Sequence, residues 1–260
     1  MKLINLVLFA IILNIQIFGG NYFLNPTVRN NLSFQNEKSI FSGKPTAQEF
    51  ADVFYLTETG YHDPYDVLRE IETIGDVCTK ELDKLIFSDK IKPNPPNLVG
   101  IDGEKIDVKT LKLETKKEYA LLALERIGSV KAFDVVLDVI KKHDDIEIIA
   151  MAMNIINVEY REKVIRDEIE PDKHFLKYFV DYLEDLTYVN AYNIKLDKIC
   201  RNGLKIWLGK DYGDYVEESD IKDEENAPHK KLTKDEKDKW WEDNSPKIKW
   251  NKDKNKFEIK

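Results

Sequence analysis

Two stretches decide the fold: "VLREIETIGDVCTKELDKLIF" (Val67–Phe87) and "ALLALERIGSVKAFDVVLDVI" (Ala120–Ile140) can be laid on one another without a gap. Ile74-Gly75-Asp76-Val77 falls on Ile127-Gly128-Ser129-Val130, and Leu68, Ile71 and Leu82 fall on Leu121, Leu124 and Val135. Apolar residues recur at helical spacing on both sides of each glycine, so each stretch predicts a helix, a tight turn and a second helix. Glycine suits that turn because the residue just past a helix end often takes the left-handed conformation, which only Gly reaches without steric cost. Asp76 and Ser129 then suit the N-cap of the second helix, where a side-chain oxygen accepts from a free backbone N–H.

Working outward, Pro45-Thr46 opens "TAQEFADVFYL" and Asp63-Pro64 opens "YDVLREIETI", both in the manner of helix starts. Downstream, "IEIIAMAMNIINVEYREKVI" predicts a helix end at Ile156-Asn157, and "LDKICRNGLKIWLGKDYG" predicts one at Leu208-Gly209. "HFLKYFVDYLEDL" reads as a helix with an apolar stripe at Phe175, Phe179, Tyr182 and Leu183. The expected architecture is all-α: an α-solenoid of stacked antiparallel helix pairs over residues 45–215. A surface insertion at 88–114 carries three prolines and an Asp102-Gly103 pair that fits a hairpin turn, so a short β-hairpin is expected near 97–108.

Helix pairs separated by Ile-Gly-Asp or Ile-Gly-Ser, with Ala and Leu on the apolar face, resemble HEAT repeats of the short bacterial type. The best match covers Tyr119 to Tyr160, a weaker one Tyr65 to Phe87, and a capping unit is expected from Leu196 to Tyr215. The ending also resembles that of some bacterial HEAT-like proteins, in which a Gly-x-x-x-Gly turn leads to a short helix with paired Trp and an extended finish. Here Gly209, Gly213, Trp240, Trp241, Trp250 and Phe257 carry that likeness. The long acidic stretch between the two parts departs from it.

The rest of the chain supplies context. "MKLINLVLFAIILNIQIFGG" (1–20) has the layout of an export signal, with Lys2, an apolar run from Leu3 to Phe18, and two small residues. The expected location is therefore periplasmic or secreted, an uncleaved N-terminal anchor being the lesser alternative. Residues 21–44 read as a loosely ordered arm, 216–233 as a charged linker, and 234–260 as a tryptophan-containing C-terminal strap. Net charge is -8 with acids and lysines mixed along the chain, which argues against a general nucleic-acid binder. Export leaves two states open for Cys78 and Cys200, a disulfide or two buried thiols.

The sequence contains no nucleophile elbow, phosphate-cradling glycine loop, His-Glu-x-x-His helix or Cys-x-x-Cys pair. "GYHDPYD" (Gly60–Asp66) sets His62 beside Asp63, but the stretch reads better as the start of a helix. No catalytic, cofactor or metal residues are assigned. Stacked helix pairs leave a curved face that typically binds peptides or proteins, and on the best unit Lys131, Asp134, Asp138 and Lys142 point outward as candidate contacts. The expected function is a non-enzymatic protein-interaction or scaffolding module whose partner is a protein or peptide. The alternative is an envelope carbohydrate-binding or hydrolytic accessory protein that stacks sugars on the C-terminal aromatics. Trp240, Trp241 and Trp250 are assigned a capping role, closing the last repeat against solvent.

Overall fold

The computed structural model describes residues 39–41, 43–58, 60–94, 116–185, 187–192, 194–209 and 232–260. Its fold is mostly helical, with two small antiparallel hairpins. In chain order the helices are α1 (Ala47–Glu58), α2 (Pro64–Ile74), α3 (Thr79–Phe87), α4 (Lys117–Ile127), α5 (Val130–Lys142) and α6 (Ile146–Ile155). A π turn (Ile156–Tyr160) carries α6 straight into α7 (Arg161–Ile165), which is followed by α8 (Phe175–Asp181). Strands β1 (Tyr188–Val189) and β2 (Ile194–Lys195) precede α9 (Leu196–Leu208). The C-terminal segment forms α10 (Lys234–Asn244), β3 (Ile248–Asn251) and β4 (Lys256–Ile259). The hairpin expected near 97–108 lies outside the described residues, and the two hairpins observed are elsewhere in the chain.

The turns between the aligned stretches differ in detail. Gly128 is left-handed (φ +59°) and Ser129 caps α5 by accepting from Ala132 N, as expected. Gly75 also has positive φ (+71°), but a 3-10 turn (Gly75–Val77) follows it, so α3 begins at Thr79 and Asp76 is not its N-cap. The Asp76 carboxylate instead accepts from Ser129 Oγ, and thereby ties the first turn to the second. Gly209 closes α9 in the left-handed conformation.

The helix end expected at Asn157 is absent, and the helix runs on to Ile165. An extra residue per turn shifts the phase of everything after it by about 100°. Asn157 and Tyr160 thereby come to lie in the core rather than at a surface turn.

Packing follows chain order. α2 lies on α4, α4 on α6 and α6 on α9, while α3 lies on α5 and α5 on α8. The apolar residues of these faces join one core that runs from Phe41 to Phe257. At its N-terminal end Phe41 meets Phe50 edge to face, and Phe50, Phe54 and Tyr119 stack in turn, with ring centroids 5.2, 5.6 and 5.8 Å apart. The end of the arm that reads as loose in the sequence is therefore anchored. Burial pushes the Glu70 carboxyl up, but bonds from Ser39 Oγ and the Ile40 and Phe41 backbone N–H outweigh it and hold its pKa below the ordinary value. Cys78 and Cys200 are buried free thiols, which settles the choice that the sequence leaves open, and burial raises both of their pKa values.

Candidate functional site

The most elaborate constellation joins the C-terminal segment to α8 and α9, and it is built around the fourth tryptophan, Trp207. Trp207 is wholly buried, and its ring centroid lies 4.7 Å from Phe175, 5.9 Å from Tyr160, 6.0 Å from Phe257 and 6.2 Å from Trp250. Side chains alternate along a strand, so Ile248 and Trp250 of β3 share one face with their cross-strand partners Ile259 and Phe257 of β4. That face meets the body. Trp250 and Phe257 pair edge to face at 5.1 Å, a cross-strand aromatic contact of the kind that stabilises a short hairpin.

The three tryptophans selected from the sequence all pack against the core while remaining partly exposed. The deepest anchors of the segment are Ile248 and Phe257, each 2% exposed. Trp240 and Trp241 are adjacent on α10, and residues one apart on a helix point about 100° apart, so the two rings cannot both lie flat on one face.

Polar contacts surround the aromatic centre. Lys173 Nζ donates to the carbonyls of Ser245 (2.6 Å) and Ile248 (3.4 Å), and Arg161 donates to that of Asn255 at 3.2 Å. Lys237 on α10 returns the arrangement by donating to the carbonyls of Asp181, at 3.0 Å, and Leu183. Lys177 sits between Asp181 (2.7 Å) and Asp238 (2.8 Å), and Lys252 pairs with Asp167 at 2.6 Å. Burial disfavours the Lys177 ammonium, but its two carboxylate bonds outweigh burial and raise its pKa. The same bond lowers the pKa of Asp238. Arg161 lies 5.9 Å over the Trp207 ring, its Nε is buried without a hydrogen-bond partner, and burial lowers its pKa. Asn157 Oδ1 accepts from Trp207 Nε1 at 3.0 Å.

The candidate contact residues on α5 stand apart from this centre. Lys131, Asp134 and Lys142 are exposed, and half-buried Asp138 bonds Lys142 at 2.6 Å. That pair lies within electrostatic reach of Asp83 on α3 and Tyr178 on α8. Asp83 is raised by burial and then by Asp138. One charged face thus crosses three helices. His62 and Asp63 do not form an acid-base pair: Asp63 caps α2 by accepting from Tyr65 N, and burial lowers the pKa of His62.

Sequence reasoning missed one further group. Glu125 on α4 is half-buried, and burial, reinforced by Glu159 on the π turn and opposed by Arg126, pushes its carboxyl up to about 7. Tyr192, between β1 and β2, is raised by burial and then by Glu125 and Glu147, and Asn190 donates twice to Glu147. Among the described residues no three His, Cys, Asp or Glu side chains are grouped so as to hold a metal ion, and no helix is long and apolar enough to cross a membrane. No family model, curated protein or solved structure matches the chain.

Proposed function

We propose that this chain is an exported, non-enzymatic helical-repeat protein of HEAT-like architecture that serves as a protein-interaction or scaffolding module. The observation that carries the reading is the polar face formed by Asp83 on α3, Asp138 and Lys142 on α5, and the neutral Tyr178 on α8. In a solenoid the second helix of each pair lines such a face, and contact residues spread over several helices suit a polypeptide better than a small molecule. Lys131 and Asp134 extend the face along α5. Under this reading residues 1–20 direct export and residues 234–260 cap the repeats. The packing of Trp240, Trp241 and Trp250 against the body weighs against an open platform for sugars.

Charge exchange on α5 tests the proposal. The variant Lys131→Glu, Asp134→Lys, Asp138→Lys, Lys142→Glu keeps net charge and the sign complementarity of positions 138 and 142. Pull-downs from envelope and culture fractions are expected to recover a partner with the native chain and lose it with the variant at unchanged thermal stability. Recovery of no stable partner, or of the same set by both chains, would overturn the reading.

A further inference from the structure

We propose that the face of α8 and α9 covered by residues 232–260 is an exchangeable docking site, able to accept the same segment from a second copy of this chain. Chain length supplies the first argument. Leu232 N donates to the Glu184 carboxylate, and Glu184 N in turn bonds Asp197, so the segment begins at the N-terminal end of α9. The described part of the body reaches Gly209, at the opposite end of α9. The gap to be crossed is therefore close to the length of a 13-residue helix, about 20 Å. The 22 residues at 210–231 have an extended reach of roughly 75 Å. Covalent connection does not oblige the segment to dock on its own body.

The segment also carries its own helix cap and its own strand pairing. Thr233 and Glu236 form a reciprocal capping box at the start of α10. β3 and β4 pair with each other through four residues on each strand, and Asn251 accepts from Lys254 N in the turn between them. Its local structure draws on no strand or helix of the body. What the body supplies is recognition: an aromatic floor of Phe175 and Trp207, and cationic side chains at Lys173, Lys177 and Arg161 that read carbonyls and a carboxylate. None of these contacts depends on which copy the segment belongs to.

The floor is too apolar to stay open, so it is filled either in cis or in trans. Because segment and body belong to one chain, docking in cis is intramolecular and outcompetes a second copy's segment in dilute solution. Exchange then becomes visible when that advantage is removed. This inference does not rest on the scaffolding reading and fails or stands separately from it.

The test uses the full chain with a protease recognition sequence placed within residues 215–225 and cut after folding, together with a labelled synthetic peptide of residues 232–260. Fluorescence anisotropy should show the peptide replacing the cut segment at one per body. The uncut chain should take up at least 100-fold less peptide at the same concentration, and a peptide carrying Phe257→Ala should bind the cut chain at least 10-fold more weakly. The uncut variant Phe257→Ala, its own segment weakened, should also bind the native peptide. Failure of the native peptide to replace the cut segment, or equal binding of native and Phe257→Ala peptides, overturns the proposal.

Discussion

The indole N–H of Trp207 donates to Asn157 Oδ1 at 3.0 Å, and both residues are buried. This bond joins α9 to the π turn across fifty positions of sequence. An indole donor left without an acceptor in the core incurs its desolvation penalty, about 1–3 kcal/mol. Asn157→Ala is therefore expected to lower stability by that amount and to lower Tm by several degrees in a chain of this size. Asn157→Asp keeps an acceptor but buries a carboxylate, so its loss relative to Asn157→Ala should shrink as pH is lowered and the carboxyl takes a proton, which thermal unfolding of the two variants at pH 7 and pH 5 will check.

Gly203 lies mid-helix in α9 because Phe179 and Asn157 crowd it. A Cβ at that position would stand 2.4 Å from Phe179 Cε1 and 3.0 Å from Asn157 Nδ2. Alanine ordinarily improves a helix by about 1 kcal/mol over glycine. Here overpacking against a buried ring works the other way, at about 1–3 kcal/mol. Gly203→Ala is expected to be net destabilising in denaturant titration, with the midpoint lowered and the slope unchanged. A stabilised variant would show that the α8–α9 contact is looser than these distances require.

The Glu125 carboxyl gives stability a pH dependence of definite sign. Its folded-state value of about 7 lies above the ordinary 4.5, so the folded chain binds this proton more tightly than the unfolded one. The resulting stabilisation is present below pH 4.5 and is lost as pH rises through 7. A tenfold difference in proton affinity is worth about 1.4 kcal/mol, and with the side chain partly in water the loss is on the order of 1–3 kcal/mol. Glu125→Gln should flatten the stability profile between pH 5 and 8 and unfold at a higher temperature than the native chain at pH 8. Parallel profiles for the two proteins would count against a raised Glu125.

How much was legible follows from the range over which each signal acts. Gly128, Ser129 and Gly209 act within one helix end, and their types announced their roles. Asp76 has the right type for an N-cap, but its partner, Ser129, lies 53 positions away. Asn157 misled for a similar reason: it is a common helix terminator, yet here a buried indole claims its side chain. The stripe of Phe175, Phe179, Tyr182 and Leu183 is visible in spacing, although α8 ends at Asp181 and Tyr182 is only half-buried, whereas the coming together of Trp207, Phe257 and Arg161 is tertiary and leaves no local trace. In the tail, the eye goes to three tryptophans, but Ile248 and Phe257, on the hairpin face that meets the body, are buried more deeply than any of them.

That difference in depth yields the last prediction. The ion pairs at Lys177–Asp238 and Lys252–Asp167 are partly or largely exposed, and such pairs contribute about 0–1 kcal/mol each and are screened by salt. Phe257, by contrast, is buried against Trp207 and Phe175, and a core Phe→Ala change costs about 3–5 kcal/mol when the surroundings cannot relax. The C-terminal segment can relax by lifting off, which limits the loss to its own docking energy. Phe257→Ala is therefore expected to keep the helical circular dichroism of the body while red-shifting tryptophan emission and raising acrylamide quenching as Trp240, Trp241 and Trp250 gain water. Adding about 1 M NaCl to the native chain should leave emission and quenching nearly unchanged, because salt reaches the ion pairs and not the aromatic floor. If salt alone exposes the tryptophans while Phe257→Ala does not, the docking is electrostatic and Phe257 is not its anchor.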